Sequence, residues 1–319
     1  MTKTDRTVLV LGATGGIGGE TARALARHGW KIRALARKGR PASPVDSWEW
    51  VPGDSLDQAS IVDAARGTEA IVHAVNPPGY RNWATLVLPM IENTIAAART
   101  SGARILLPGT IYNYGSDAFP LLREDSPQQA TTRKGRIRIA LEQKLEIAAR
   151  EGVRSLILRL GDFFGPRPGS SWFSQGMVKP KHRVTSITNP GSKGIGHDWA
   201  YLPDAAETFA ELMERGVELA DFERFHFKGH WDADGTEMVS AIRKAAGDGS
   251  IPVRSLPWWL FQVASPFNET MRELYATRPF WQTPIRLDNT KLVRFLGREP
   301  HTPLQTGVES ALRGMGCIA

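Results

Sequence analysis

Short apolar runs alternate with longer amphipathic stretches through the first half of the chain. Val8-Leu9-Val10-Leu11 is closed by Gly12, and a run of that length bounded by a glycine reads as a buried strand. Glu20 to His28 then reads as a helix. Trp30 to Ala36 reads as the second strand, and Trp48 to Asp54 as a short third one. Asp57 to Arg66 is a helix stopped by Gly67. Ala70 to Val75 is the fourth strand, left through Asn76-Pro77-Pro78-Gly79. From Trp83 to Thr100, the apolar residues Leu86, Val87, Met90, Ile91, Ile95 and Ala98 share one helical face. Pro89 predicts a kink in that helix and Gly102 its end. Arg104 to Pro108 is the fifth strand, after which Gly109-Thr110 opens a loop, and Ser155 to Leu160 is the sixth. This alternation predicts an α/β fold, a doubly wound parallel sheet.

The second half reads differently. Arg167 to Gly176 is rich in Pro, Gly and Ser, as expected of a crossover. We therefore expect a first domain over residues 1–165 and a smaller C-terminal lobe over 166–319, with parts of 196–228 folding back onto the first. Arg224 to Gly229 is a late strand, either of that lobe or at the sheet edge. Asp204 with Glu207 three residues on has the spacing of a capping box for the helix Ala205–Arg215. Residues 251–285 hold Trp258, Trp259, Phe261, Phe267, Tyr275, Phe280 and Trp281. Such density builds a small core or a pocket wall.

Charge and composition narrow the picture. The net charge is +7, but Lys and Arg are scattered without a basic block interleaved with aromatics. No nucleic-acid partner is predicted. No apolar run reaches the length of a membrane span, and Met1 to Arg6 contains no apolar signal core. A cytoplasmic chain without membrane contact is the expectation. The single cysteine, Cys317, excludes an internal disulfide and a multi-cysteine metal site, so no metal is expected.

The chemistry gathers around Gly12-Ala13-Thr14-Gly15-Gly16-Ile17-Gly18. Strand, glycine turn and helix together are what a dinucleotide site requires. Gly12 turns the chain off the strand, Gly15 clears space for a pyrophosphate, and Gly18 brings helix and sheet close. Thr14, Gly16 and Ile17 complete the loop, and the helix start offers N–H groups and a positive dipole end to phosphates. The G-x-x-G-x-x-G spacing resembles the short-chain dehydrogenase/reductase superfamily, in its extended and atypical, epimerase/dehydratase-like branches. The resemblance implies a Rossmann domain with a substrate lobe closing over the cofactor cleft. It runs on through Gly53-Asp54, Arg159 to Pro166 with Phe164 in place of a Tyr, His197 to Asp204, and the closing Asp288 to Leu304. It implies that Asp54, with Ser55 beside it, receives the adenine amino group. It also implies that His73, Ala74 and Val75 lie against ribose and nicotinamide, and that the segment including Leu160 carries nicotinamide and substrate contacts. Taken on its residue type alone, His73 reads as a packed strand residue. Ala36 occupies the place where NAD-binding relatives carry an acid, and Arg37-Lys38 follow. A missing carboxylate and a guanidinium favour a 2′-phosphate, hence NADP(H). A homodimer is a family expectation.

Superfamily members use a Ser or Thr, a Tyr, and a Lys four residues after the Tyr. Thr110 matches the first, and Tyr114-Gly115 follows at the family spacing. In the helix Thr132 to Glu142, alignment on Glu142 puts Lys134 where the Tyr belongs and Arg138 where the Lys belongs. No Tyr lies between Tyr114 and Tyr201. Three readings follow. In the first, an NADP(H)-dependent oxidoreductase reduces a carbonyl-like group on a small molecule, with Thr110, Tyr112, Lys134 and Arg138 as its catalytic set. Lys134 then acts as an acid whose pKa is lowered by Arg138 and burial, and also reaches the cofactor. In the second, a non-catalytic NADP-binding sensor resembles the fungal nitrogen-metabolite regulators. The third, ranked last, is a sugar-nucleotide epimerase or dehydratase. Against any catalytic role, Lys134 and Arg138 can instead form a solvated or phosphate-facing side of their helix.

Overall fold

The computed structural model describes residues 6–39, 47–77 and 82–318. Pro78 and Gly79 of the loop after the fourth strand, and residues 1–5, lie outside the described residues. Seven strands form the main sheet: β1 (Thr7–Leu11), β2 (Lys31–Ala36), β3 (Glu49–Pro52), β4 (Ala70–His73), β5 (Arg104–Thr110), β6 (Ser155–Leu160) and β7 (Phe222–His226). All pairings are parallel, in the order β3-β2-β1-β4-β5-β6-β7. The order reverses at β1, which places a crevice at the carboxyl ends of β1 and β4. Five helices matter for the site: α1 (Gly16–Arg27), α2 (Gln58–Ala64), α3 (Trp83–Ser101), α4 (Arg133–Arg150) and α5 (Leu202–Glu214).

The continuous apolar runs of the strands follow from burial on both faces. Val8 and Val10 face one core together with Ala22, Leu25 and Phe209 of α1 and α5. Leu9 and Leu11 face the opposite core, with Ile61, Val87, Ile91 and Leu145 of α2, α3 and α4. The helix α3 runs through Pro89 without interruption and stops at Gly102, whose φ is 73°.

The late strand at 222–226 proves to be the edge of the main sheet, paired with β6. A second correction concerns α5. The helix starts at Leu202, its capping residue is Tyr201, and Asp204 lies inside the first turn. The Asp204 carboxylate receives the N–H (2.6 Å) and hydroxyl (2.7 Å) of Thr302, while Glu207 binds Arg27 and His28. The predicted capping box is therefore absent, because both carboxylates have stronger partners far along the chain.

A second core, with Phe164, Phe173, Trp199, Met238, Ile242 and Leu312, underlies the C-terminal half. Strand His197–Tyr201 lies between Asp162–Phe164 and His230–Asp232 there. Leu121–Leu122 pairs with Arg286–Leu287, so the two halves are tied across the cleft.

Candidate active site

The glycine turn has the shape that its residues require. Gly12 has φ 92°, and a Cβ there would lie 2.4 Å from the carbonyl oxygen of Ala74. A Cβ on Gly18 would lie 2.4 Å from the Gly12 carbonyl oxygen. In front of Gly15 the space is open; its nearest obstruction is the Gly12 oxygen at 3.2 Å. Gly16 has a use that sequence reasoning missed. Its Cβ would meet the Pro168 carbonyl oxygen at 2.6 Å, so the crossover loop rests on the turn. Gly15 caps α1 without a side-chain hydrogen bond, and Thr14 beside it is exposed. Ile17 packs partly buried against the core.

Around this turn stand the other predicted cofactor contacts. Ala36 ends β2, and Arg37 and Lys38 follow it, both exposed. Asp54 follows β3, with one carboxylate oxygen accepting from the Leu56 N–H at 3.0 Å. Ser55 is buried, and its carbonyl accepts from Asn93 at 3.1 Å. Ala74 underlies Gly12, and Val75 packs toward the α2–α3 side. Leu160 is buried opposite Thr110 in the register of β5 and β6. His73 is a packed residue: its Nδ1 lies 2.8 Å from the Thr94 hydroxyl of α3. Burial, then the charge of Arg138, lowers its pKa to about 3, which keeps it neutral. An open cradle, exposed cations at the ribose end and free polar capacity on Asp54 fit a nicotinamide dinucleotide.

Thr110 ends β5, the strand beside β4. Its hydroxyl accepts the Tyr112 N–H at 3.3 Å, which caps the 3₁₀ turn Ile111–Asn113. Thr132 caps α4 by accepting from the Gly135 N–H at 3.0 Å. This start aims the first two turns of α4 at the crevice. Lys134 and Arg138 are both buried there, so the solvated helix side is not what the chain forms. The Lys134 Nζ lies 4.1 Å from the centre of the Tyr112 ring and 5.1 Å from that of Trp83. The Arg138 guanidinium lies 5.2 Å over Trp83 and donates to Asn76 Oδ1 at 2.9 Å. Burial, then the Arg138 charge, lowers the Lys134 pKa to about 7, while Asp162 and Glu273 act to raise it. Tyr112 turns its ring face to this ammonium and packs edge-on with Phe280, 5.1 Å between centres.

A buried polar network supports the arrangement from behind. Glu142 accepts from Arg159 (2.8 Å), Asn113 (2.9 Å) and Gln128 (3.2 Å), and Arg159 also donates to the Thr110 carbonyl at 2.5 Å. Tyr114, fully buried, has its hydroxyl 3.2 Å from His226, so it belongs to this wall and not to the cleft.

Sequence reasoning missed three contributors. Asp162 lies 2.9 Å from His197, whose ring stacks on Trp281 at 3.8 Å between centres and 10° between planes. Both residues stand in the motif segments, but nothing local signals their pairing. Glu273 enters from the helix Glu269–Tyr275 and is buried at 7% exposure. The aromatic region is not uniformly buried: Phe280 and Trp281 are buried, whereas Trp259 and Phe267 are exposed. Among the described residues there is no cluster of three metal-ligating side chains, and no helix is long and apolar enough to cross a membrane.

Comparison with known proteins adds to this geometry. Residues 8–226 match the model of the NAD dependent epimerase/dehydratase family. A curated relative from Streptomyces, a 3-diazoavenalumate denitrifying reductase, is 30% identical over 183 residues, 51% of this chain and 58% of that protein. The chain thus spans little more than half of that relative's length. Among solved structures, the UDP-glucose 4-epimerase from Bifidobacterium longum in complex with NAD+ and UDP superposes with a TM-score of 0.74. It is 17% identical over 98% of this chain and 100% of that one. The Bordetella bronchiseptica enzyme WbmH in complex with NAD+ gives 0.68 at 21% identity, over 98% and 99%. At such identities the likeness is one of fold.

Proposed function

The chain belongs to the NAD dependent epimerase/dehydratase family, and from that premise we propose that it is an NADP(H)-dependent oxidoreductase reducing a carbonyl-like group on a small molecule. One observation carries this reading: the Lys134 ammonium is buried against the ring of Tyr112, on the turn that Thr110 caps, and its pKa is lowered to about 7. A general acid works best when its pKa is near the operating pH. NADPH, when bound in the glycine cradle, would supply the hydride. Thr110, whose oxygen already accepts from the Tyr112 N–H, keeps its own O–H to orient the substrate's reacting oxygen. Lys134 gives that oxygen a proton, so that the charge arriving with the hydride is neutralised. Trp83 and Tyr112 keep water from the ammonium, and Arg138 favours its loss of a proton. Arg37 and Lys38 would hold the 2′-phosphate.

The reductase name of the Streptomyces relative favours reduction. The epimerase neighbours share the fold only, and Lys134 and Arg138 stand where the family resemblance puts the Tyr and Lys on which a sugar-nucleotide reaction relies. NADPH oxidation across aldehydes, ketones, imines and sugar nucleotides is the test. We expect the wild-type rate to fall as the pH rises above about 7, because the ammonium is lost. Lys134→Met should lower kcat by about 10²-fold or more. Failure to bind NADPH, or full activity of Lys134→Met, would sink the proposal. Tight NADPH binding without turnover of any substrate would leave the sensor reading in its place.

A further inference from the structure

Exposed apolar side chains of a soluble protein are ordinarily scattered singly. Here they gather. Of nine large apolar residues that stand exposed among the described residues, five lie between positions 253 and 267: Val253, Trp259, Leu260, Val263 and Phe267. The helix Trp258–Ala264 has no buried residue. Its Trp259, Leu260 and Val263 are 64%, 47% and 65% exposed, and their spacing of three and four puts them on one outer face. Phe267, four residues further on, stands in the turn that follows and is 90% exposed. The inner side of the helix is fixed. The Trp258 indole N–H donates to the Pro190 carbonyl at 2.9 Å, and its ring centre lies 5.6 Å from those of both Trp172 and Phe261. A pinned helix thus holds a set of large apolar side chains in water.

Charge says what covers them. No Asp or Glu occurs from Gly249 to Asn268, and the exposed Arg254 lies in that stretch. The acids at its two ends are engaged. Asp248 accepts the N–H and hydroxyl of Ser250 at 2.8 and 2.6 Å, and Glu269 lies 3.8 Å from Arg133 and 4.0 Å from the exposed Arg272. An acid-free apolar segment with an arginine before its helix and another after its turn complements a negative surface. A second copy of the chain is the wrong occupant, because self-pairing would join two such faces in molecules of net charge +7. Shape then separates a bilayer from an acidic protein. A side chain as exposed as Phe267 projects from its surroundings. A protein must offer a preformed pocket to each such side chain, whereas the fluid boundary between headgroups and acyl chains closes around them, and Trp, Phe and Leu favour that depth.

We propose that the face of Trp259, Leu260, Val263 and Phe267, with Arg254 and Arg272, seats the protein on an anionic lipid bilayer. The expectation of no membrane contact concerns spans. A helix lying in the interface needs no span, and among the described residues no helix is long and apolar enough to cross. The inference is independent of the reductase reading, because it uses none of the residues given a role in that chemistry.

The test is co-sedimentation of the full chain with vesicles of phosphatidylcholine alone and of phosphatidylcholine with about 30% phosphatidylglycerol. The wild type should partition onto the anionic vesicles about ten-fold or more better than onto the neutral ones, and lose that preference in high salt. The double variant Trp259→Ser with Phe267→Ser should cut partition onto anionic vesicles about ten-fold or more. Arg254→Gln with Arg272→Gln should bring the two vesicle types within about three-fold of each other. Val217→Ser, which removes an exposed apolar side chain elsewhere, should change nothing. An unchanged urea midpoint shows that each variant is folded. Absence of wild-type binding to anionic vesicles would overturn the proposal and leave the face to an acidic protein. Equal partition onto both vesicle types, or full binding by the Trp259→Ser, Phe267→Ser variant, would overturn it as well. A wild-type dimer in sedimentation velocity that this variant dissociates would give the face to a second copy instead.

Discussion

Arg37 and Lys134 show what a single position can reveal. Arg37 stands exposed after Ala36, and no acid occurs from Ala36 to Gly39. Replacing it with a carboxylate sets a negative charge against the 2′-phosphate and offers an acceptor to a 2′-hydroxyl. Arg37→Asp should therefore lower the ratio of NADP to NAD affinity by at least about ten-fold, one lost charge-assisted contact. Fluorescence titration with NADPH and NADH measures this, and an unmoved ratio would take the clamp away from Arg37. What the sequence shows here depends only on the end of a strand and the residues that follow, and the titration tests the role assigned to Arg37. Lys134 was legible in part. Its place in the alignment made it a candidate acid, but its burial against Tyr112 and Trp83 came from contacts more than twenty residues away in the chain. His73 shows the converse. Its strand position is obvious, yet its pairing with Thr94 on a separate helix decides that it stays neutral.

At the scale of elements, α4 is the instructive case. Its buried stripe includes Lys134, Gly135, Arg138, Leu141, Glu142, Leu145 and Ala148. The first two turns of that stripe are polar, so apolar periodicity cannot identify the inward face. The strands β1 and β4 to β6, by contrast, are nearly continuous apolar runs because both faces are covered, and they stand out at once. What seats α4 is Gly135. A Cβ there would fall 2.0 Å from the Tyr112 carbonyl oxygen and 2.5 Å from the Ala130 Cβ. Gly135→Ala must push the helix start off the turn that holds Thr110 and Tyr112. We expect a loss of about 1–3 kcal/mol by urea unfolding, with a larger proportional loss of the proposed turnover than of NADPH binding. Unchanged stability would mean that the helix start yields without cost.

Across the whole molecule, the site is assembled by contacts that bridge distant segments. Leu121–Leu122 meets Arg286–Leu287, Glu269 meets Asn82 and Arg133, and Asp204 meets Thr302. Asp204 ties α5 to the segment leading into the helix Leu304–Gly314, whose Gly307 packs against Phe164 and Tyr201. Asp204→Ala removes two charge-assisted hydrogen bonds and should cost about 2–4 kcal/mol, read as a lower urea midpoint. A local capping role would show instead as a loss reproduced by Glu207→Ala alone. The sequence by itself determined the parallel α/β sheet, the glycine turn and the absent acid after β2. Each of these depends on neighbours within a few residues, through backbone geometry and the burial of short runs. Only the tertiary structure decided that Lys134 and Arg138 face inward, that Glu142 and Arg159 brace Thr110, and that Glu273 is buried within reach of the Lys134 charge. The physical reason is that a charged side chain carries no periodic signal of its burial. Whether it is solvated, paired or left waiting for a ligand is set by what packs against it, and those partners lie far away along the chain.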